Sequence, residues 1–146
     1  MITVRQILKN KGNQVHSVTP SATVQEALKV MSDKEIGAVL VMEADKIKGI
    51  FSERDYARRT TLEGCVDLYP VDKLMTRTLV YAGMDQSVEE CMGMMTDKHI
   101  RHLPVVESGK LVGLISIGDL VKALITDQEG KIKDMEDYIE GRGYGR

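Results

Sequence analysis

Gly49-Ile50-Phe51-Ser52-Glu53-Arg54-Asp55 returns later in the chain as Gly113-Leu114-Ile115-Ser116-Ile117-Gly118-Asp119. The match extends outward from these two stretches without a gap. Residues from about Thr23 to Arg58 align on residues from about Ser87 to Lys122. Matched pairs include Val24/Val88, Glu26/Glu90, Met31/Met95, Ile36/Ile100 and Val41/Val105. Two copies are too few for a solenoid, which needs at least three units to bury its faces. They suit a closed pair in which each copy covers the other's apolar side.

Each copy carries the same local signals. Thr23-Val24-Gln25-Glu26 and Ser87-Val88-Glu89-Glu90 read as capping boxes, hydroxyl and carboxylate each satisfying an orphan amide at a helix start. Val24, Ala27, Leu28 and Met31, and again Val88, Cys91, Met92 and Met95, follow at helical spacing. Ala38 to Val41 and Leu103 to Val106 are short apolar runs of strand length, flanked by turn residues. Ala44-Asp45 and Ser108-Gly109 lie in hairpin turns, and 46–51 and 111–115 are the return strands. Helices then open at Ser52 and Ser116. A short strand precedes each copy, at Val15 to Val18 and at Leu79 to Tyr81, and small helical pieces at Val4 to Leu8 and Val71 to Met75 lead into them.

The fold class is therefore α+β: two pseudo-symmetric β-α-β-β-α repeats forming one module. Residues 1–61 are read as repeat one with its lead-in, 62–70 as a linker loop, 71–126 as repeat two, and 127–146 as a C-terminal helix and tail. Within that tail, Val121, Ile125, Gln128, Ile132, Met135 and Ile139 alternate in steps of four and three around Gly130. The pattern fits a terminal helix packed on its own module. It equally fits one whose stripe is buried only against a second subunit. Gly141-Arg142-Gly143-Tyr144-Gly145 is expected to fray.

Bulk composition excludes several classes. With 42% hydrophobic and 29% charged residues, the 146-residue chain has the balance of a soluble globular protein. It has no Trp, one Phe and five Tyr, too few for a base-stacking nucleic-acid platform. Net charge is −2 with scattered basic residues, so no nucleic-acid partner is expected. Cys65 and Cys91 form no CxxC and set no disulfide framework. The N-terminus lacks the layout of a signal peptide and no run approaches a membrane span, so the expectation is a reduced, cytoplasmic protein without a membrane partner.

The motif Gly-x-x-Ser-x-x-Asp, present twice, supports two readings. Ser-x-x-Asp is close to a capping box, common where a strand turns into a helix. Alternatively, the glycine admits a close neighbour, the helix start offers free amides to a phosphate, and the Asp accepts from both hydroxyls of a ribose. Duplication favours the second.

With these residues in place, the sequence resembles the tandem CBS-domain proteins, named for the regulatory domain of cystathionine β-synthase. The resemblance rests on Val18-x-Pro20-x-x-Thr23-Val24-x-Glu26-Ala27-Leu28, Lys46-Ile47-x-Gly49-Ile50-x-Ser52-x-x-Asp55, Arg101-His102-Leu103-Pro104-Val105 and Gly113-Leu114-Ile115-Ser116-Ile117-Gly118-Asp119. It covers nearly the whole chain and is closest to small stand-alone prokaryotic members. It implies a Bateman module: two clefts between the repeats that bind AMP, ATP, NAD or S-adenosylmethionine, usually in a disc-like homodimer.

Carried over residue by residue, the resemblance implies ribose binding at Asp55 and Asp119 and phosphate contacts at Ser52 and Ser116. The copies differ in their basic residues: Arg101 and His102 in repeat two flank a strand that the resemblance places at the cleft and are read as phosphate contacts, with Arg54 in that role in repeat one. Arginine supplies bidentate geometry, and histidine adds a pH-sensitive element. The adenine would lie near Val18, Thr19, Ala38, Tyr81, Ala82, Leu103, Pro104 and Ile117. His99 and His102 lack a third ligand, so no metal is expected. Cys91 falls on an apolar helix face, and no catalytic group can be assembled. The expected function is a non-enzymatic, adenine-nucleotide-binding regulatory module for energy or redox sensing. AMP or a related adenosyl ligand leads, with an NAD(H) sensor or a ligand-free scaffold as alternatives. The stretch read here holds no effector domain, so it is expected to act in trans on a partner protein.

Overall fold

The structure is a computed structural model that describes residues 1–139; the glycine-rich stretch expected to fray lies outside them. The chain divides into two compact units, residues 14–80 and residues 1–13 together with the chain from Tyr81 onward.

The first unit opens with β1 (Ser17–Val18), followed by α2 (Val24–Lys34), β2 (Ala38–Glu43), β3 (Lys46–Ser52) and α3 (Glu53–Glu63), and closes with a 3₁₀ turn at Val71–Lys73. Helix α1 (Val4–Lys11) precedes it in the chain but folds with the other unit. The capping box at α2 forms in full: Thr23 Oγ1 accepts from the Glu26 amide, and Glu26 accepts from the Thr23 amide. Val24, Ala27 and Met31 then face inward onto Val39, Val41 and Phe51. The helix ends at Glu35, in the left-handed region at φ 54°, with the Ile36 amide reaching back to the Met31 carbonyl. β1 pairs parallel with β2, and β2 antiparallel with β3. Val41 opposes Gly49 while Met42 opposes Ile47, so Lys48 is the extra residue of a bulge.

The second unit repeats this plan with β4 (Ala82–Gly83), α4 (Val88–Lys98), β5 (His102–Glu107), β6 (Lys110–Ser116) and α5 (Ile117–Ile139). Here β4 pairs parallel with β5, β5 antiparallel with β6, and Val112 is the bulged residue. α4 ends at His99 as α2 ends at Glu35, at φ 56°. The two helices that follow the sheets differ in length. α3 stops at Gly64, φ 79°, whereas the matching position of repeat two is Gln128 and α5 runs on for 23 residues, through Gly130.

Several expectations need correction. The strand expected at Leu79 to Tyr81 lies one step later, at Ala82–Gly83. Its position is set by pairing with Val105 and Val106 rather than by the β propensity of Leu79, Val80 and Tyr81. The second capping box forms by half: Ser87 accepts from the Glu90 amide, but its hydroxyl, not its backbone amide, meets the Glu90 carboxylate. The helical piece at Val71 to Met75 is a single 3₁₀ turn. The linker is not simply a loop, because Leu62 and Glu63 close α3 and Val66 is fully buried. Its carbonyls at Asp67 and Tyr69 accept the first amides of α2, from Gln25 and Val24, at 2.9 Å each. One buried valine and a few backbone bonds carry no periodicity, so sequence patterning passes over them.

The lead-in segments explain how the units are stitched. In the first unit, Val71 and Asp72 amides donate to the Ala22 and Pro20 carbonyls, and Val24 to Tyr69. In the second, Val4 and Arg5 amides donate to Gln86 and Met84, and Val88 to Ile2. Residues 1–13 thus do for repeat two what residues 67–76 do for repeat one. Each lead-in also meets the strand glycine of its unit. A Cβ on Gly49 would lie 2.7 Å from both Met75 Sδ and the Thr76 carbonyl oxygen, and one on Gly113 2.8 Å from both Leu8 methyls. These glycines therefore make room for protein. Among the described residues, no helix is long and apolar enough to cross a membrane.

Candidate functional site

The Ser-x-x-Asp residues stand where β3 turns into α3 and where β6 turns into α5. In the first unit, Ser52 is the N-cap of α3. Its amide and hydroxyl both donate to Asp55 Oδ2, at 2.9 and 3.0 Å, and its Oγ accepts from the Asp55 amide at 3.3 Å. The second carboxylate oxygen, Oδ1, accepts from Thr76 Oγ1 at 3.3 Å. Thr76 is held there because its backbone pairs in both directions with Ile50, at 2.8 and 3.0 Å. Ala38 lies opposite Ser52 in the sheet, and the Glu53 amide donates to the Gly37 carbonyl. Arg54 is exposed on the first turn of α3.

In the second unit, the Ser116 amide donates to Asp119 Oδ2 at 2.8 Å, and Ser116 Oγ accepts from the Asp119 amide at 3.2 Å. Asp119 Oδ2 also accepts from Lys11 Nζ at 2.6 Å, and Lys11 donates to the Leu114 carbonyl at 2.7 Å. Oδ2 thus accepts both from the helix cap of its own chain segment and from a distant lysine. Desolvation pushes the Asp119 carboxyl up, but the Lys11 hydrogen bond, the Ser116 amide and the lysine charge outweigh it and hold the group below the usual carboxylate range. His102 lies opposite Ser116, and the Ile117 amide donates to the Arg101 carbonyl. The basic pair read from the sequence thus flanks this junction.

A cleft of about 700 Å³ borders Asp119 within this unit, running between α1 and α5. Lys9, Lys11, Lys122, Asn10 and Thr126 line it. Its size is that of a small-molecule site. Lys11 and Thr76 were invisible as site residues in the sequence. Each lies in a lead-in whose destination only the folded chain reveals.

The structure brings Ser52, Arg54, Asp55 and Ala38 together in one unit, and Arg101, His102, Ser116, Ile117 and Asp119 in the other. Of the remaining residues assigned to adenine, Ala82, Leu103 and Pro104 are buried, as Ala38 is, Val18 is half-buried, and Thr19 and Tyr81 are exposed. His99, considered with His102, serves as the left-handed cap of α4. Among the described residues, no three His, Cys, Asp or Glu side chains are grouped to hold a metal. Burial, with the nearby Glu90 charge, pushes the Cys91 thiol up to about 11, which leaves it a core side chain and a poor nucleophile.

Two three-stranded sheets, each closed by a Ser-capped helix and repeated within one chain, define a paired-domain α+β fold. The CBS domain family profile matches residues 4–60 and 71–126, and the chain belongs to that family. Its relatives include the CBS domain-containing protein YhcV of Bacillus subtilis, 38% identical over 107 residues, which are 73% of this chain and 76% of that protein. A CBS-domain structure from Burkholderia ambifaria MC40-6 is 48% identical with a TM-score of 0.82, covering 86% of this chain and 96% of the other. Two more distant structures share the fold and carry ligands. The Pyrobaculum aerophilum protein PAE2072 is complexed with AMP, at 22% identity and TM-score 0.71, over 86% of this chain and 99% of that one. The CBS pair of MJ0100 is complexed with 5′-methylthioadenosine and S-adenosyl-L-methionine, at 21% identity and TM-score 0.76, over 87% and 98%.

Proposed function

We propose that this protein is an adenine-nucleotide-binding regulatory module, with AMP or a related adenosyl ligand held at the Ser-x-x-Asp junctions. The observation that carries this reading is the pair of oriented carboxylates, Asp55 and Asp119. Each is fixed by its own serine at a helix start, where amides and the helix dipole favour a phosphate. AMP and S-adenosylmethionine in two structures of the same fold support the ligand class. Ribose hydroxyls would donate to the carboxylates. Ser52 and Arg54, and Ser116, Arg101 and His102, would meet the phosphate. The nucleotide is a ligand and not a substrate, and regulation follows from its preference for one of two conformations of the module.

Thermal denaturation with AMP, ADP, ATP, NAD and S-adenosylmethionine tests the proposal. A ligand at a hundredfold excess over its Kd adds about 2.7 kcal/mol of stability. Asp119→Asn and Asp55→Asn should each weaken the binding roughly ten- to a hundredfold, the worth of a hydrogen bond to a charged acceptor, while the fold persists. If no ligand raises the melting temperature and no nucleotide is released from denatured protein, the two aspartates are helix caps of a scaffold.

A further inference from the structure

The cleft between α1 and α5 opens on one side of the Asp119 junction and holds about 700 Å³. Asp119 lines it, whereas among the described residues Ser116, Arg101 and His102 do not. Space therefore continues past the carboxylate that would take ribose hydroxyls, and not past the groups that would take a 5′-phosphate. The sugar atoms that would face this space are the 2′ and 3′ oxygens.

Its walls are cationic. Lys9 and Lys11 come from the last turn of α1, and Lys122 from α5. Asp119, Lys122 and Thr126 follow in steps of three and four, so they share one face of α5. Lys11 is bonded to Asp119 at 2.6 Å, and Asp127, also on the cleft, pairs with Lys131 at 3.2 Å. Lys9 and Lys122 are thus the cations of the cleft without a carboxylate partner among the described residues.

We infer that the Asp119 junction takes an adenosine nucleotide phosphorylated on the 2′ or 3′ oxygen of its ribose, with Lys9 and Lys122 on that phosphate. The inference rests on the adenine-nucleotide function proposed for the same site. One ribose hydroxyl stays to donate to Asp119, and its esterified neighbour carries the phosphate into the cleft. In dinucleotide folds an acidic residue reads the free ribose hydroxyl, and a nearby cation accommodates a phosphate there. Here both kinds of group are present. Lys11 lets them coexist, because its ammonium offsets the carboxylate charge that would otherwise repel a phosphate dianion. The Asp55 junction is built differently. Aligning the lead-ins through Leu8 and Met75, which meet Gly113 and Gly49, puts Thr76 and Thr78 where Lys9 and Lys11 stand. The preference therefore belongs to repeat two alone.

Isothermal titration of the full chain with 5′-AMP, adenosine 2′,5′-bisphosphate and adenosine 3′,5′-bisphosphate tests this. At least one bisphosphate should bind about tenfold tighter than 5′-AMP, and the leading isomer identifies the oxygen. The advantage should shrink as salt rises, as it does for charges near solvent. Lys9→Met with Lys122→Met should abolish it while leaving 5′-AMP affinity and melting temperature unchanged, because both side chains are exposed. Lys9→Arg with Lys122→Arg should retain it. If 5′-AMP binds but neither bisphosphate binds tighter, or if the double Met variant keeps the advantage, the inference falls and the nucleotide function stands. If no adenosine compound binds, both fall.

Discussion

At Asp119 a single carboxylate takes an amide from its own helix cap and an ammonium from a residue 108 positions earlier. Its pKa in the folded protein lies below the ordinary value of 3.8. A depressed acid contributes stability that is complete above the unfolded-state pKa and is lost as pH falls through the lower folded-state pKa. Lys11→Met should therefore destabilise the protein at neutral pH and start acid unfolding at a higher pH. The gap between variant and wild type should close at the acid end. Lys11 is more than a third exposed, so solvent screens the pair and the expected difference is about 1 kcal/mol or less. Urea denaturation across pH 2 to 7, a window set by the carboxylate reference range, measures it. Asp55 is held instead by a threonine hydroxyl, so the two junctions share a motif and differ in charge balance.

Between elements, the decisive contact is each return strand against its lead-in. Gly49 and Gly113 look equivalent in the sequence, yet their neighbours differ in what can yield. The methyls of Leu8 are the end of a side chain, whereas the Thr76 carbonyl near Gly49 belongs to backbone paired with Ile50. Gly113→Ala should cost about 1–3 kcal/mol, the usual range for overpacking, and Gly49→Ala should cost more. Leu8→Ala should recover part of the Gly113→Ala loss in a double-mutant cycle read by denaturant midpoints. Met75→Ala should recover little at Gly49, because the carbonyl remains. Helix ends were legible in advance for a related reason. Thr23, Ser52, Ser87 and Ser116 cap through residues within three positions, so the signal is local.

For the whole molecule, the compact units cut the chain differently from the two sequence copies. The family profile begins its first match at residue 4, whereas residues 1–13 fold with repeat two. Weakening α1 should therefore loosen the unit that lies far from it in sequence. Leu8 is buried, and Leu8→Ala should cost about 2–5 kcal/mol. Hydrogen exchange should show the faster amides first in β5, β6 and the start of α4, with β2 and β3 following later or not at all. The reverse order would mean that α1 serves the repeat next to it in the chain.

The sequence by itself determined the duplication, the kind and order of the main elements, the helix caps and the Ser-x-x-Asp junctions. All of these are periodic or span a few residues. Only the tertiary structure decided which repeat each lead-in serves, that Val66 is buried, that the glycines accommodate Met75 and Leu8, and that Lys11 sits on Asp119. Those outcomes depend on backbone hydrogen bonds and close packing between segments far apart in the chain. Such contacts leave no spacing in the sequence from which they could be read.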